Sequence, residues 1–304
     1  MIFIHDAADT AVFERGVFMK QRVITAIILG LVAVPICIFS GTVAFPIVLA
    51  VLGAVGVWEL LGCMGTRKNP LISVPLYIFA LAAPFVVRYT LDARLVASLS
   101  SVIPYRTVRS YDALLVMLGI YVLYLLGVWV FSYQKDQNVD MNKMLASVLV
   151  SLYIISATSS IVLIRDSLGG EYYWYFIFIG AWVTDTFAYF TGMLFGKHKL
   201  IPNVSPKKTV EGAIGGTVFC IIIFVVYGAI VNNYTQHDIS LIVLAVAGLL
   251  SAIVSMIGDL SMSVIKRTYG IKDYGKIFPG HGGVLDRFDS ILAVSVVLAL
   301  FLAW

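Results

Sequence analysis

Residues 263–289, SVIKRTYGIKDYGKIFPGHGGVLDRFD, gather Lys266, Arg267, Lys272, Asp273, Lys276, His281, Asp286, Arg287 and Asp289 into one short polar segment. The sequence on both sides is strongly apolar. Ammonium and guanidinium groups neutralise anions. Glycines let backbone N–H groups converge on a phosphate with no Cβ in the way. Carboxylates hold hard cations such as Mg2+. The combination points to a phosphorylated substrate and a metal.

Other residues extend this set. Asp259 lies inside an apolar run, SAIVSMIGDLSMSVIKR. Helical spacing puts Ser255, Asp259, Ser263 and Lys266 on one face. A carboxylate inside a span is costly and marks a site more often than not. The plain alternative is an Asp259–Lys266 pair that only holds the helix in its bundle. Asp286 and Asp289 are three residues apart at the start of the last apolar run, so they share a face. The helix dipole alone would account for them, but their closeness to His281, Gly282, Gly283 and Asp259 favours a site. His281 could contact phosphate or move a proton, although a glycine-rich loop before a helix is by itself a weak signal.

Asp185, in AWVTDTFAYFTGMLFGK, shares a face with Tyr189, Gly192 and Gly196. Gly192 and Gly196 form a GxxxG pair suited to close helix packing. A structural hydrogen bond for Asp185 is nearly as good a reading as a site role. Ser205, Lys207, Lys208 and Thr209 precede EGAIGG, and two lysines and two hydroxyls at a helix start suit an anion. Lysines flanking a span are also ordinary on the cytoplasmic side. There is no Walker A, HExxH or GxSxG pattern.

The elements that must position these residues are membrane spans. Hydrophobic residues make up 60% of the chain and charged residues 12%, with a mean hydropathy of +0.96. A soluble domain carries roughly twice that share of charge. The fold class is therefore an all-α polytopic integral membrane protein. Nine spans are predicted, over 23–40, 43–63, 73–90, 113–133, 143–164, 172–195, 211–231, 240–263 and 287–304. Residues 91–112 form a longer connection whose amphipathic piece, LVASLSSVIPY, suits the membrane interface.

Of the Lys and Arg residues flanking these spans, fifteen, from Lys20 to Arg287, fall on one side, and Arg88, Arg94, Arg106, Arg109 and Arg165 on the other. The bias puts the N-terminus and the loops 196–210 and 264–286 in the cytoplasm. The net charge of +4 is explained by such loops and anionic lipid, with no call for a nucleic acid. Cys37, Cys63 and Cys220 sit in apolar runs without CxxC spacing and read as packing residues. Residues 1–18 lack the apolar core of a signal peptide and read as a non-native or upstream-start extension before Met19. Residues 19–171 read as a transmembrane scaffold with almost no ionisable residue inside its spans. Residues 172–304 read as the catalytic region.

The polar segment resembles the signature of the phosphatidate cytidylyltransferases, or CDP-diacylglycerol synthases, of bacterial type. That signature runs S-x-x-K-R-x4-K-D-x-G-x3-P-x-H-G-G-x-x-D-R-x-D. Ser263, Lys266, Arg267, Lys272, Asp273, Gly275, Pro279, His281, Gly282, Gly283, Asp286, Arg287 and Asp289 all match. Gly258-Asp259, SPKKTVEG at 205–212 and the Asp185 segment are similar to the family as well. The resemblance implies transfer of the cytidylyl group of CTP to phosphatidate, giving CDP-diacylglycerol and pyrophosphate at the cytoplasmic face of the bacterial inner membrane. It implies Mg2+, with K+ at a neighbouring position, and a homodimer. It implies that Asp259 and Asp286 hold the metal, with Lys266 and Arg287 in the catalytic set. Joined to the chemistry above, it makes Lys207 and Lys208 outer contacts, and His281 a phosphate ligand rather than a base.

Two other readings remain open on sequence. A different lipid-linked nucleotidyltransferase or a polyprenol kinase would use similar parts. An ion-coupled transporter with Asp185 and Asp259 in its path would show an inverted repeat between its halves, and none is seen.

Overall fold

The computed structural model describes residues 33–91, 110–134, 140–234 and 239–302, with 25, 30 and 31. Residues 1–18, the amphipathic piece at 95–105 and part of the first predicted span lie outside them. The remaining elements are α1 (Ala44–Met64), α2 (Pro70–Leu91), α3 (Ser110–Gln134), α4 (Met141–Asp166), an interrupted helix α5 (Gly170–Phe195), α6 (Val210–Asn232), α7 (Leu241–Thr268) and α8 (Leu285–Leu302). Each takes up a predicted span. A backbone in lipid must satisfy its own hydrogen bonds, and a helix does so within one segment.

Six of these helices, α1, α2, α4, α5, α6 and α7, are long and apolar enough to cross a membrane. The chain is a multi-pass helical membrane protein. α8 falls outside the six because Asp286, Arg287 and Asp289 crowd its first turns. α3 carries the shorter apolar stretch Gly119–Val130.

Local chemistry sets the helix ends. α1 stops where Gly65 turns left-handed at φ 74° and its N–H bonds Gly62. Asp140 caps α4 by accepting from Asn142 and Lys143 N–H, and Thr209 caps α6 by accepting from Gly212 N–H.

Two apolar clusters hold the bundle. One gathers Phe45, Trp174, Phe176, Phe224 and Val294, and the other Leu60, Leu76, Ile154, Ile155 and Leu292. Phe288 packs against both. α8 lies against both α4 and α7, so the predicted scaffold and catalytic halves share one packed interior.

Two details differ from expectation. The span at 172–195 is broken by a π-helical turn, Ile179–Val183. At its centre Gly180 meets α8, where an added Cβ would stand 2.8 Å from Val294 Cγ1. The turn resets the helix register just before Asp185, as such insertions do at many functional sites. The loop at 196–210 contains an antiparallel hairpin, β1 (Lys199–Ile201) with β2 (Ser205–Thr209).

Charged groups sort to the two ends of the bundle. At one end Arg88 donates to the Gly41 and Thr42 carbonyls and pairs with Asp166, while Arg165 donates to Ser40. The hairpin and the 269–284 segment occupy the other.

Candidate active site

The segment expected as a loop from 264 is helical as far as Thr268, because α7 continues to that point. The remaining loop is organised by a tight turn. Pro279 and Gly280 are its corners, with Gly280 at φ 74°, and His281 N–H closes back on the Phe278 carbonyl at 2.9 Å. Proline followed by a left-handed glycine is what a type II turn requires. Phe278 and Gly282 then exchange both backbone hydrogen bonds, at 2.9 and 3.0 Å. Thr25 donates its hydroxyl to the Pro279 carbonyl at 3.0 Å.

Asp286 is the staple of this loop. Its Oδ1 accepts from Lys266 Nζ at 2.7 Å, and its Oδ2 from Tyr274 N–H at 2.8 Å and Gly283 N–H at 2.9 Å. The side chain is 3% exposed. Three donors around one carboxylate join the end of α7, the loop and the start of α8. Tyr274 locks the other side of the loop by donating its hydroxyl to the Met262 carbonyl at 2.9 Å. Burial holds that hydroxyl well above its ordinary pKa, so it stays a neutral donor.

Asp259 finds a different partner from the one its helix face offers. Its Oδ2 pairs with Lys208 Nζ, and Ser263 Oγ approaches Oδ1 at 3.4 Å. Lys266 pairs with Asp286 instead. The hairpin turns Lys208, expected as an outer contact, inward, where it is 24% exposed.

Lys208 and Asp259 border a cavity of about 380 Å³. Its polar wall adds Asp185, Ser205, Lys207 and Thr209, and its apolar wall is Ala188, Tyr189, Met193, Leu200, Ala213 and Met256. Tyr189 and Met193 belong to the outward apolar face of α5, with Phe190, Leu194 and Phe195 exposed beside them. Small residues make the wall thin: an added Cβ on Gly192 would stand 2.7 Å from Thr209 Oγ1.

Asp185, Asp259 and Asp289 lie close together at this end of the bundle. Ser290 bridges two of them, its hydroxyl reaching Asp185 Oδ2 at 3.3 Å and its N–H donating to Asp289 Oδ1 at 2.8 Å. Asp289 is buried, 9% exposed, and so lies behind the surface on which a substrate would sit.

The remaining predicted residues are placed as follows. Arg287 Nε donates to the His281 carbonyl at 2.8 Å, so it braces the turn. The Gly283 N–H, expected to face phosphate, is given to Asp286. Gly282 is left-handed at φ 86°, and an added Cβ there would stand 2.8 Å from Asp286 Oδ2. His281 Nδ1 is buried without a partner. Arg267 leans on the Ile271 carbonyl at 3.4 Å, and Arg267 and Lys272 are exposed. Asp273 is exposed at the loop surface.

One residue was missed. Glu59 of α1 is 1% exposed, and its two oxygens accept from Val284 N–H and Leu285 N–H, each at 2.9 Å. It is the only Asp, Glu, Lys or Arg in α1. The rule that singled out Asp259 applies to it equally.

The donors present suit Mg2+ in one specific way. Among the described residues no three His, Cys, Asp or Glu side chains gather tightly enough to enclose a metal. Mg2+ is usually held by one or two carboxylates, with water and substrate phosphates completing its shell. Asp259 borders the cavity. Asp286 uses three of the about four acceptor positions a carboxylate offers, so it retains capacity.

A multi-pass helical membrane protein, with a charged site and a half-apolar cavity at one end of its bundle, is the class that this fold and site define. The sequence matches the Cytidylyltransferase family over residues 20–304, and the chain belongs to that family. It is 31% identical to phosphatidate cytidylyltransferase of Haemophilus influenzae over 291 residues, covering 93% of this chain and 98% of that one. It is 34% identical to the Staphylococcus haemolyticus phosphatidate cytidylyltransferase over 287 residues, covering 93% and 99%. With that of Staphylococcus saprophyticus it shares 43% over 133 residues, 44% of this chain and 50% of that one.

Proposed function

We propose that this protein is a phosphatidate cytidylyltransferase, transferring the cytidylyl group of CTP to phosphatidate in phospholipid biosynthesis. The observation that carries the reading is the pairing of Lys208 with Asp259 at a cavity with one cationic and one apolar wall, with a second pair, Lys266 and Asp286, joining the end of the same helix to the loop. A lipid phosphate needs both walls: cations for its headgroup and apolar surface for its chains. The exposed apolar face of α5 beside the cavity gives the chains a route from the bilayer.

In the reaction a phosphatidate phosphate oxygen attacks the α-phosphorus of CTP. The bond from that phosphorus to the α–β bridging oxygen breaks, and pyrophosphate leaves with the bond's electrons. The nucleophile is already ionised at neutral pH, so no strong base is required. Lys208 and Lys266 each have a carboxylate partner at rest and can exchange it for substrate phosphate. Their charge then screens two anions from each other and stabilises what develops in transfer. Lys207, Arg267 and Lys272 stand farther out, where they attract the nucleotide. Asp259 and Asp286 would hold Mg2+, which when bound neutralises phosphate charge as the new bond forms. A K+ ion sharing the metal site is part of the same proposal.

The finer topology belongs to this reading too: nine spans, the N-terminus and the site in the cytoplasm of the bacterial inner membrane, and a homodimer. The Lys and Arg bias supports the orientation.

The test is direct. Purified protein is incubated with phosphatidate and each labelled nucleoside triphosphate in turn, with and without Mg2+. Labelled CDP-diacylglycerol is expected from CTP alone. Phosphorylation of a polyprenol, or equal use of all four nucleotides, would reject the reading.

A further inference from the structure

We infer that Glu59, on the N-terminal half of the chain, is a positioning residue for the transfer reaction: it holds the glycine loop and the first turn of α8 where Asp286 can place Lys266. The inference rests on the function proposed above.

Burying a carboxylate is costly unless it is fully hydrogen-bonded. Glu59 is buried inside an otherwise apolar helix, and both its oxygens are used. Their donors, Val284 and Leu285, are among the N–H groups that a helix start leaves without an internal partner. Hydrogen bonds to an ionised acceptor are roughly twice as strong as neutral ones. One side chain from α1 thus fixes where α8 begins. Asp286 is the next residue, so its direction follows from that anchor.

The glycines of the loop support the same reading. An added Cβ on Gly283 would stand 2.6 Å from Glu59 Cδ, and one on Gly275 would stand 3.0 Å from it. Neither glycine has a positive φ. Conformation does not demand glycine at these two positions, whereas contact with Glu59 does. Since the Gly283 N–H goes to Asp286, this glycine serves the loop's packing against α1 and not a phosphate.

The chain of contacts is short. Glu59 holds Val284 and Leu285, the helix turn carries Asp286, and Asp286 holds Lys266, Tyr274 and Gly283. Replacing Glu59 by Gln leaves one oxygen to accept and turns an amide N–H2 toward a backbone N–H. Misplacement by an ångström at a distance from the chemistry can cost on the order of 100-fold in rate.

The experiment compares wild type, E59Q, K266A and E59Q/K266A in detergent–phosphatidate micelles, with hydrogen exchange followed over residues 274–287. E59Q is expected to lower kcat roughly 10- to 100-fold while KM for CTP changes little, and to speed exchange at Val284, Leu285 and Gly283. The double variant is expected to be no slower than K266A, because both act through one unit. Wild-type kcat in E59Q, or losses that multiply in the double variant, would overturn the inference. Unchanged exchange in E59Q would overturn it whatever the wild-type activity, whereas a wild type that makes no CDP-diacylglycerol rejects the proposed function alone. If E59Q does not purify folded, a size exchange decides. G283A should be slow, and E59D/G283A, which withdraws the carboxylate from the new methyl, should recover part of the rate. No recovery would count against the contact.

Discussion

Lys208 on the hairpin and Asp259 within α7 form an ion pair in the wall of the cavity. Asp259 lies nine residues from the end of α7, about 13 Å along its axis. The hairpin therefore delivers a cation well into the bundle end. A resting pair of this kind shields a carboxylate within a span, and under the proposed function it would free a cation and an anion together.

Asp259→Asn is expected to abolish CDP-diacylglycerol formation while the protein still inserts and purifies. Lys208→Met should lower activity by at least tenfold, because it removes a cation from the cavity wall and leaves Asp259 unpaired. Labelled-CTP turnover and size-exclusion profiles check both. A near-normal rate in Asp259→Asn at ordinary Mg2+ would remove it from the site.

Asp286→Asn should behave differently. Asp286 accepts from three donors at 3% exposure, so the substitution should cost about 3 kcal/mol of stability as well as activity. A clear fall in detergent melting temperature is expected for Asp286→Asn and a smaller one for Asp259→Asn. Equal melting temperatures would mean that Asp286 is not the loop's staple.

Lys266→Ala should reduce kcat more than it raises KM for CTP, because a cation that stabilises charge in transfer acts mainly on the transition state. Steady-state kinetics at saturating phosphatidate give the ratio. A folded variant with unchanged kcat would assign Lys266 to structure alone.

Removing divalent cations with a chelator should stop turnover, and Mg2+ should restore it. The chelated protein should keep its melting temperature, since the described carboxylates form no closed metal cage. Full activity after exhaustive chelation would exclude a required divalent ion.

Sidedness is tested with single cysteines in a background lacking Cys37, Cys63 and Cys220. Cysteines at Lys199 and Lys276 should resist impermeant thiol reagents on intact cells, and one at Asn233 should react. The reverse pattern would turn the protein over in the membrane.

The sequence alone determined the class of fold and singled out the segment to which the chemistry is assigned. Apolar runs of span length must be helices in lipid, because no other local structure satisfies the backbone there. Polar residues cannot collect among such runs without cause, so Asp259, Asp286 and the 263–289 segment announced a site. Which charges meet was a tertiary matter. Helix periodicity put Lys266 on the face of Asp259, yet Lys266 reaches Asp286 across 20 residues of chain and Asp259 reaches Lys208 from the hairpin. Glu59 shows the same limit most clearly. Its partners are more than 220 residues away, and only the packing of α1 against α8 brings them together. Periodicity relates residues along one helix. It carries no information about which helix end stands beside another, and that choice is made by the close packing of the whole bundle.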